Sequence, residues 1–306
     1  MRGLVSAVTV AAASSAIVLG AQQAPAFRAS VDIVALSVTV TGPDGRFVEG
    51  LAARDFSVLE DGVPQSVVFF ERATNPLTVS LLIDSSNSMT EQMGLAQQAA
   101  VDFAKRLRPA DTAEVIDFDS RVRVLQPFTS DHEALERAIR STATGGSTSL
   151  HEAIFLGLGR LEGVRGRGAD DTRREVLLVL SDGADNSPRV RFEPLMTMVK
   201  QSPAVIYTIG LGLDALPTSR IFGRWAADSE ANLRTLARET GGRLLIATQG
   251  TDLSGVYAQI ADELNNQYLL GYAPNDPERP GWRSISVTGP STVQVRTRTG
   301  YNVGAP

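Results

Sequence analysis

The run Leu81-Leu82-Ile83-Asp84-Ser85-Ser86-Asn87-Ser88-Met89 puts one carboxylate and two hydroxyls, those of Asp84, Ser86 and Ser88, on a single short stretch. An apolar segment, Thr78 to Ile83, leads straight into it. Three oxygen donors with no Cys or His beside them suit a hard cation such as Mg2+. Two further segments offer matching donors. Thr148 follows Gly145-Gly146-Ser147 just ahead of a helical pattern, and glycines permit turns closed to other residues. Asp182 follows a second apolar run, Val176–Leu180, in Ser181-Asp182-Gly183. Mg2+ takes near-octahedral oxygen coordination at about 2.1 Å and keeps several waters. Mn2+ or Ca2+ could substitute at the same donors. The competing explanation is ordinary turn and cap chemistry, for which Asp and Ser are also chosen without any metal.

Other chemistries find less support. The chain has no cysteine, which excludes disulfides, thiolate zinc sites, iron–sulfur clusters and Cys nucleophiles. Its two histidines, His132 and His151, lie in separate helix-like stretches without a second His at metal spacing. A His-based zinc site or a Ser-His-Asp triad is therefore disfavoured. Gly210-Leu211-Gly212-Leu213-Asp214-Ala215 has the form of a dinucleotide loop after a strand, but Leu216-Pro217 spoils the helix start where a pyrophosphate would rest. An aspartyl phosphatase usually has a second Asp two residues after its nucleophile, and Ser86 stands there instead. No Gly-x-Ser-x-Gly serves a serine hydrolase. The expectation is a protein that is not an enzyme.

The elements that must position these donors alternate. Val79–Ile83, Ala113–Phe118, Val122–Leu125, Val176–Leu180, Val205–Ile209 and Arg243–Ile246 read as strands. Between them, Ala96 to Leu107, Asp131–Arg140, Ser149–Leu161, Leu195–Lys200, Ser229–Thr240 and Asp252–Asn266 read as helices. This pattern predicts an α/β fold: a doubly wound, mostly parallel sheet with helices on both faces. In such sheets ligands bind beyond the carboxyl ends of the strands, where Asp84 and Asp182 fall. Leu213–Asp228 reads as a long connection. With Asn186–Phe192 it is a candidate rim of the site; Asp185 and Asn186 could line it, though a plain loop is the favoured reading there.

The flanks read differently. Val31–Thr41, Asp55–Glu60 and Val67–Phe70 are short strands broken by Gly42-Pro43-Asp44-Gly45 and Asp61-Gly62 turns. Gln267–Tyr272, Arg283–Thr288 and Thr292–Thr299 are strands again. Each set is marginal alone. Pairing between residues 31–70 and 267–300 is expected, giving a small antiparallel β-sandwich built from both ends of the chain. The division is then 1–26, 28–75, 76–266 and 267–303.

The chain has 306 residues, 43% hydrophobic and 21% charged, with a net charge of −5. That composition supports a folded core and argues against nucleic acid, since no basic stripe is present. Arg165, Arg167, Arg173 and Arg174 cluster, but Glu162, Asp170, Asp171 and Glu175 interleave with them, as on a solvated loop. Residues 1–26 read as an export signal. Arg2 precedes the uncharged run Leu4–Gly20, and Ala24-Pro25-Ala26 offers a small-residue cleavage site. The run falls short of the ~20 apolar residues of a membrane span, so cleavage is favoured over a retained anchor. A periplasmic or secreted bacterial protein is expected, with no membrane span after cleavage.

Asp84-x-Ser86-x-Ser88, Thr148 after Gly-Gly, and strand-end Asp182-Gly183, within a βα alternation, resemble the von Willebrand factor type A domain. The resemblance covers about residues 76–266. It implies that Asp84, Ser86, Ser88, Thr148 and Asp182 form a metal-ion-dependent adhesion site. The hydroxyls of Ser86, Ser88 and sometimes Thr148 would be inner ligands, with Asp84 and Asp182 binding directly or through water. Two carboxylates balance the ion without surplus and leave its open position electrophilic. An Asp or Glu carboxylate of a partner protein could fill it. Val38–Glu71 and the endings Gln267–Tyr272 and Arg296–Tyr301 are similar to the flanks of exported bacterial von Willebrand factor A-related proteins. A structural or assembly subunit of an envelope complex with a vestigial metal site is the alternative role. A metal-dependent phosphohydrolase is a more distant one.

Overall fold

A computed structural model describes residues 33–166, 173–182, 185, 189–211, 220–247 and 253–303. The expected export signal, Asp170 and Asp171, Asn186, and Gly212 to Pro217 of the dinucleotide-like loop lie outside the described residues. In chain order the strands and helices are β1 (Val34–Thr41), β2 (Ser57–Glu60), β3 (Val63–Gln65), β4 (Val67–Arg72), β5 (Leu77–Asp84), α1 (Met93–Arg106), β6 (Thr112–Phe118), β7 (Val122–Thr129), α2 (His132–Arg140), α3 (Leu150–Val164), β8 (Arg174–Ser181), α4 (Phe192–Gln201), β9 (Val205–Leu211), α5 (Arg220–Thr240), β10 (Leu244–Ala247), α6 (Leu253–Asn265), β11 (Tyr268–Tyr272), β12 (Gly281–Thr288), β13 (Gln294–Arg296) and β14 (Gly300–Val303).

Six strands form the central sheet in the order β10-β9-β8-β5-β6-β7. All neighbours pair in parallel except β6 and β7. Every residue of β5, β8 and β9 is buried, as strands covered on both faces must be. Side-chain alternation divides β5 between two cores. Val79, Leu81 and Ile83 pack with α1, α2 and α6, whereas Leu82 packs with α3, α4 and α5. Each fully buried Leu, Ile or Val contributes about 1.5–3 kcal/mol by leaving water. Gly157 lets α3 lie close on the sheet, because a Cβ there would meet Leu177 Cδ1 at 2.6 Å.

The flanking strands pair across the chain as expected. One sheet runs β13-β1-β11-β4 and a second β14-β12-β2-β3. Val34–Val38 pairs antiparallel with Tyr272–Tyr268, Phe70 sits opposite Leu270, and Val58 opposite Val287. Leu36, Val38, Phe56, Val58, Leu270 and Ile285 fill the shared core. Glu60 and Arg283 are buried within it. Arg283 Nη1 donates to Glu60 Oε1 at 3.3 Å, and the Tyr272 and Tyr301 hydroxyls donate to Oε2 at 2.6 and 2.9 Å.

A polar cluster joins the sandwich to the α/β layers. Glu263 of α6 accepts from the Tyr207 hydroxyl of β9 at 2.6 Å and from Thr39 Oγ1 of β1 at 3.3 Å. It also pairs with Arg243 at 3.2 Å and with Arg296 of β13. Gln267 Nε2 donates to Thr39 Oγ1 and the Tyr207 hydroxyl at 3.1 and 3.2 Å.

Two expectations are corrected. Leu213–Asp228 is not one long connection, because α5 begins at Arg220 rather than Ser229. Its interior Gly223 and mixed polarity hid the added turns, which join a helix already anchored by Leu233 and Leu236. Arg174 is not on a solvated loop. It opens β8, is 6% exposed, and donates to the Leu264 carbonyl at 2.8 Å and Gln267 Oε1 at 3.1 Å. Glu175 beside it is also buried and takes Arg165 in a two-point pair.

Candidate metal centre

The site lies where β5, its neighbour β8 and the lead-in to α3 end together. Asp84 closes β5, and Ser86 and Ser88 follow on the loop that carries the Asn87–Met89 turn. Asp84 is fully buried. Its Oδ1 accepts the Ser86 amide at 2.9 Å, and its Oδ2 accepts the Ser181 hydroxyl at 2.6 Å. The hydroxyls of Ser86 and Ser88 stand 3.0 Å apart, so two donors already converge.

The Thr148 segment is laced to this loop by backbone. Gly145 donates its amide to the Ser85 carbonyl at 2.8 Å, and Asn87 donates to the Gly146 carbonyl at 3.2 Å. Gly146 has φ 72°, and a Cβ there would meet Ser120 Oγ at 2.8 Å. Both conditions demand glycine. Ser85 in turn donates to the Phe118 carbonyl at the end of β6. Thr148 is fully buried, and its Oγ1 has no hydrogen-bond partner among the described residues. Asp182 follows β8 directly. Ile83 pairs with Leu180 in the parallel register, which sets Ser181 beside Asp84 and Asp182 at the same sheet edge.

Electrostatics single out Asp84. Burial, the largest cause, pushes its pKa up to about 7. The Ser181 and Ser86 hydrogen bonds oppose that rise, and the neighbouring Asp182 charge adds to it. Among the described residues no cationic side chain acts on it. The residues present fit a hard divalent ion. Their donors are two carboxylates and three hydroxyls, and one buried hydroxyl oxygen lacks any protein partner. Among the described residues no group of three or more His, Asp or Glu side chains is set to hold a metal.

Nearby acidic groups have other partners. Arg123 of β7 pairs with Asp117 at 2.5 Å and Asp119 at 2.9 Å, and Asp119 accepts the Arg121 amide across the β6–β7 turn. Asp111 accepts the Leu77 amide at 2.8 Å and pairs with Arg108. Asp185 takes the amide of His151 at 3.0 Å, inside α3. Ser181 is the contact that reading the sequence missed. Its signal was available: if β5 and β8 are neighbours, the residue before Asp182 must lie beside Asp84. A cleft of about 650 Å³ opens elsewhere, lined by Thr39, Phe47, Arg243, Gln259 and Arg296. Its two guanidinium groups already face Glu263.

Comparison with known proteins agrees with this architecture. Residues 79–184 match the family model of the von Willebrand factor type A domain, a span that includes Asp84, Ser86, Ser88, Thr148 and Asp182. A UPF0353 protein of Mycolicibacterium paratuberculosis is 26% identical over 226 residues, covering 70% of this chain and 67% of the relative. A UPF0353 protein of Mycobacterium bovis is 26% identical over 245 residues, covering 73% and 71%. The chain spans about two-thirds of the length of these relatives. Among solved structures, a von Willebrand factor type A protein from Catenulispora acidiphila superposes with a TM-score of 0.52 at 12% identity, covering 89% of this chain and 75% of that one. The chain therefore carries a von Willebrand factor type A domain, a kind of domain commonly involved in protein–protein interaction.

Proposed function

We propose that this chain is an exported bacterial module that binds a protein partner through a divalent cation, with Asp84, Ser86, Ser88, Thr148 and Asp182 holding the ion. The partner would supply an Asp or Glu carboxylate, and the module is not an enzyme. The observation that carries the reading is the Thr148 hydroxyl, fully buried at the strand ends with no hydrogen-bond partner among the described residues. Such a group costs about 1–3 kcal/mol unless something accepts its lone pairs. A cation would do so, and would also favour ionised Asp84. Mg2+ suits the donors best because neutral hydroxyls and a few carboxylates leave room for retained waters. Mn2+ and Ca2+ share the oxygen preference.

Recognition follows from charge. With two carboxylates against a 2+ ion, the site gains no net negative charge, so an incoming carboxylate is attracted. Export is proposed from residues 1–26. Among the described residues, no helix is long and apolar enough to cross a membrane.

Thermal melts with and without Mg2+ test the ion. Binding to the native state alone raises stability by about 2.7 kcal/mol at a ligand concentration of 100 Kd. A flat response to millimolar Mg2+ and Mn2+ would leave the vestigial-site role of an assembly subunit. A calorimetric titration of a Glu-containing peptide into Mg2+-loaded protein tests the carboxylate, and identical heats in EDTA would count against it.

A further inference from the structure

The first amides of a helix have no partner within it. At α3, Ser149 occupies the N-cap but makes no side-chain cap bond, and its buried hydroxyl has no hydrogen-bond partner. The cap arrives from a different loop. Asp185 Oδ2 accepts the His151 amide at 3.0 Å and lies 3.2 Å from His151 Nδ1. Both side chains are almost buried, at 9% and 7% exposure. Nδ1 is also 3.0 Å from the Val190 carbonyl oxygen. Two acceptors face one ring nitrogen, so Nδ1 carries the proton. The imidazole rests on Phe192, with ring centroids 5.6 Å apart. One turn of α3 is thus held by three residues of the segment that follows β8.

We propose that Asp185 and His151 are positioning residues that lock the Thr148 segment to the Asp182 segment. Asp185 stands three residues after Asp182, and His151 three after Thr148. The proposal rests on the metal reading above and adds what keeps its separated donors in register. Thr148 and Asp182 are joined by no continuous element, and a hard cation tolerates little error in distance. Ser149, the residue best placed in sequence to cap α3, leaves that task to a carboxylate tied to the other donor loop. A carboxylate at this helix end is also favoured by the macrodipole. Asp185 therefore fixes where α3 begins, and with it where the Thr148 hydroxyl points. His151 fixes Asp185 in return through its ring proton.

Calorimetric Mg2+ titrations of the full chain test the lock, in parallel with melts in EDTA. Asp185→Ala should weaken Mg2+ affinity by about 10–100-fold, as loss of outer-shell support typically does. Asp185→Asn keeps an oxygen for the His151 amide and should recover most of that loss. His151→Phe should weaken binding by less than Asp185→Ala, because the amide cap survives. In EDTA all three should melt within a few degrees of the parent. An unchanged Mg2+ affinity in Asp185→Ala overturns the proposal, as does equal weakening in Asp185→Ala and Asp185→Asn. If Asp185→Ala does not fold, unchanged affinity in both other variants overturns it. A parent chain that takes up no Mg2+ overturns the metal reading and this proposal together. A parent that binds beside an equally tight Asp185→Ala overturns this proposal alone.

Discussion

Glu263 and Asp84 are both buried carboxyl groups, at 1% and 0% exposure, yet they are treated in opposite ways. Around Glu263 the chain supplies two guanidinium groups, a tyrosine hydroxyl and a threonine hydroxyl. Around Asp84 it supplies a serine hydroxyl and an amide, with a second carboxylate nearby and no cationic side chain acting on it among the described residues. The next hydroxyls along, those of Thr148 and Ser149, are buried without partners. The junction is closed within the protein and holds two layers together. Among the described residues, the strand-end site leaves the Thr148 and Ser149 hydroxyls without hydrogen bonds, which is a stability cost. That contrast is what the proposed metal site rests on.

The contrast can be broken most forcefully on pH. In EDTA, the folded-state pKa of Asp84 at about 7 lies above its ordinary 3.8. The folded state then binds a proton more tightly, so this group favours folding below pH 4 and that contribution is lost as pH rises toward 7. The expected loss across this window is on the order of 4 kcal/mol. Asp84→Asn should reduce the slope, melt higher than the parent at pH 8 in EDTA, and lose the response to Mg2+. Urea melts from pH 4 to 8 measure this, and a parallel slope in both proteins would remove the distinction drawn here.

The junction should behave in reverse. Glu263→Ala leaves Arg243, Arg296 and the Tyr207 hydroxyl uncompensated and should cost about 3 kcal/mol. The loss should be the same with Mg2+ as without it. A Mg2+-dependent loss would show that the two regions are coupled.

Thr148→Val removes the orphan hydroxyl at nearly constant volume. In EDTA it should stabilise by about 1 kcal/mol, while removing most of the Mg2+-induced rise in Tm. A destabilised variant would mean that the hydroxyl has a protein partner in solution. The smallest effect is expected at Ser149→Ala. Its hydroxyl neither caps α3 nor finds a partner, so Tm and Mg2+ affinity should both stay within error of the parent. A clear loss of Mg2+ affinity would add Ser149 to the site.

Much of the fold was legible from pattern. Apolar runs such as Val176–Leu180 and Val205–Ile209 mark strands buried on both faces, and both are central in the sheet. The pairing of the two chain ends followed from the fact that neither strand set is stable alone. The extent of α5 was not legible, because Gly223 lies within its first turns and is a poor helix former. Arg174 was misread because interleaved charges look alike on a loop and on a strand whose side chains alternate between faces.

For the site, sequence determined the donor types and their place at strand ends. A carboxylate, hydroxyls and glycines after apolar runs are local facts, set by the chemistry of each residue and the period of its strand. Tertiary structure decided what each polar atom meets. It placed Ser181 on Asp84, Arg123 on Asp117 and Asp119, and Asp185 on the helix that follows Thr148. It also left the Thr148 oxygen with none. Partners of this kind come from segments far apart in the chain, and only the register between strands and the packing of helices brings them within hydrogen-bond reach.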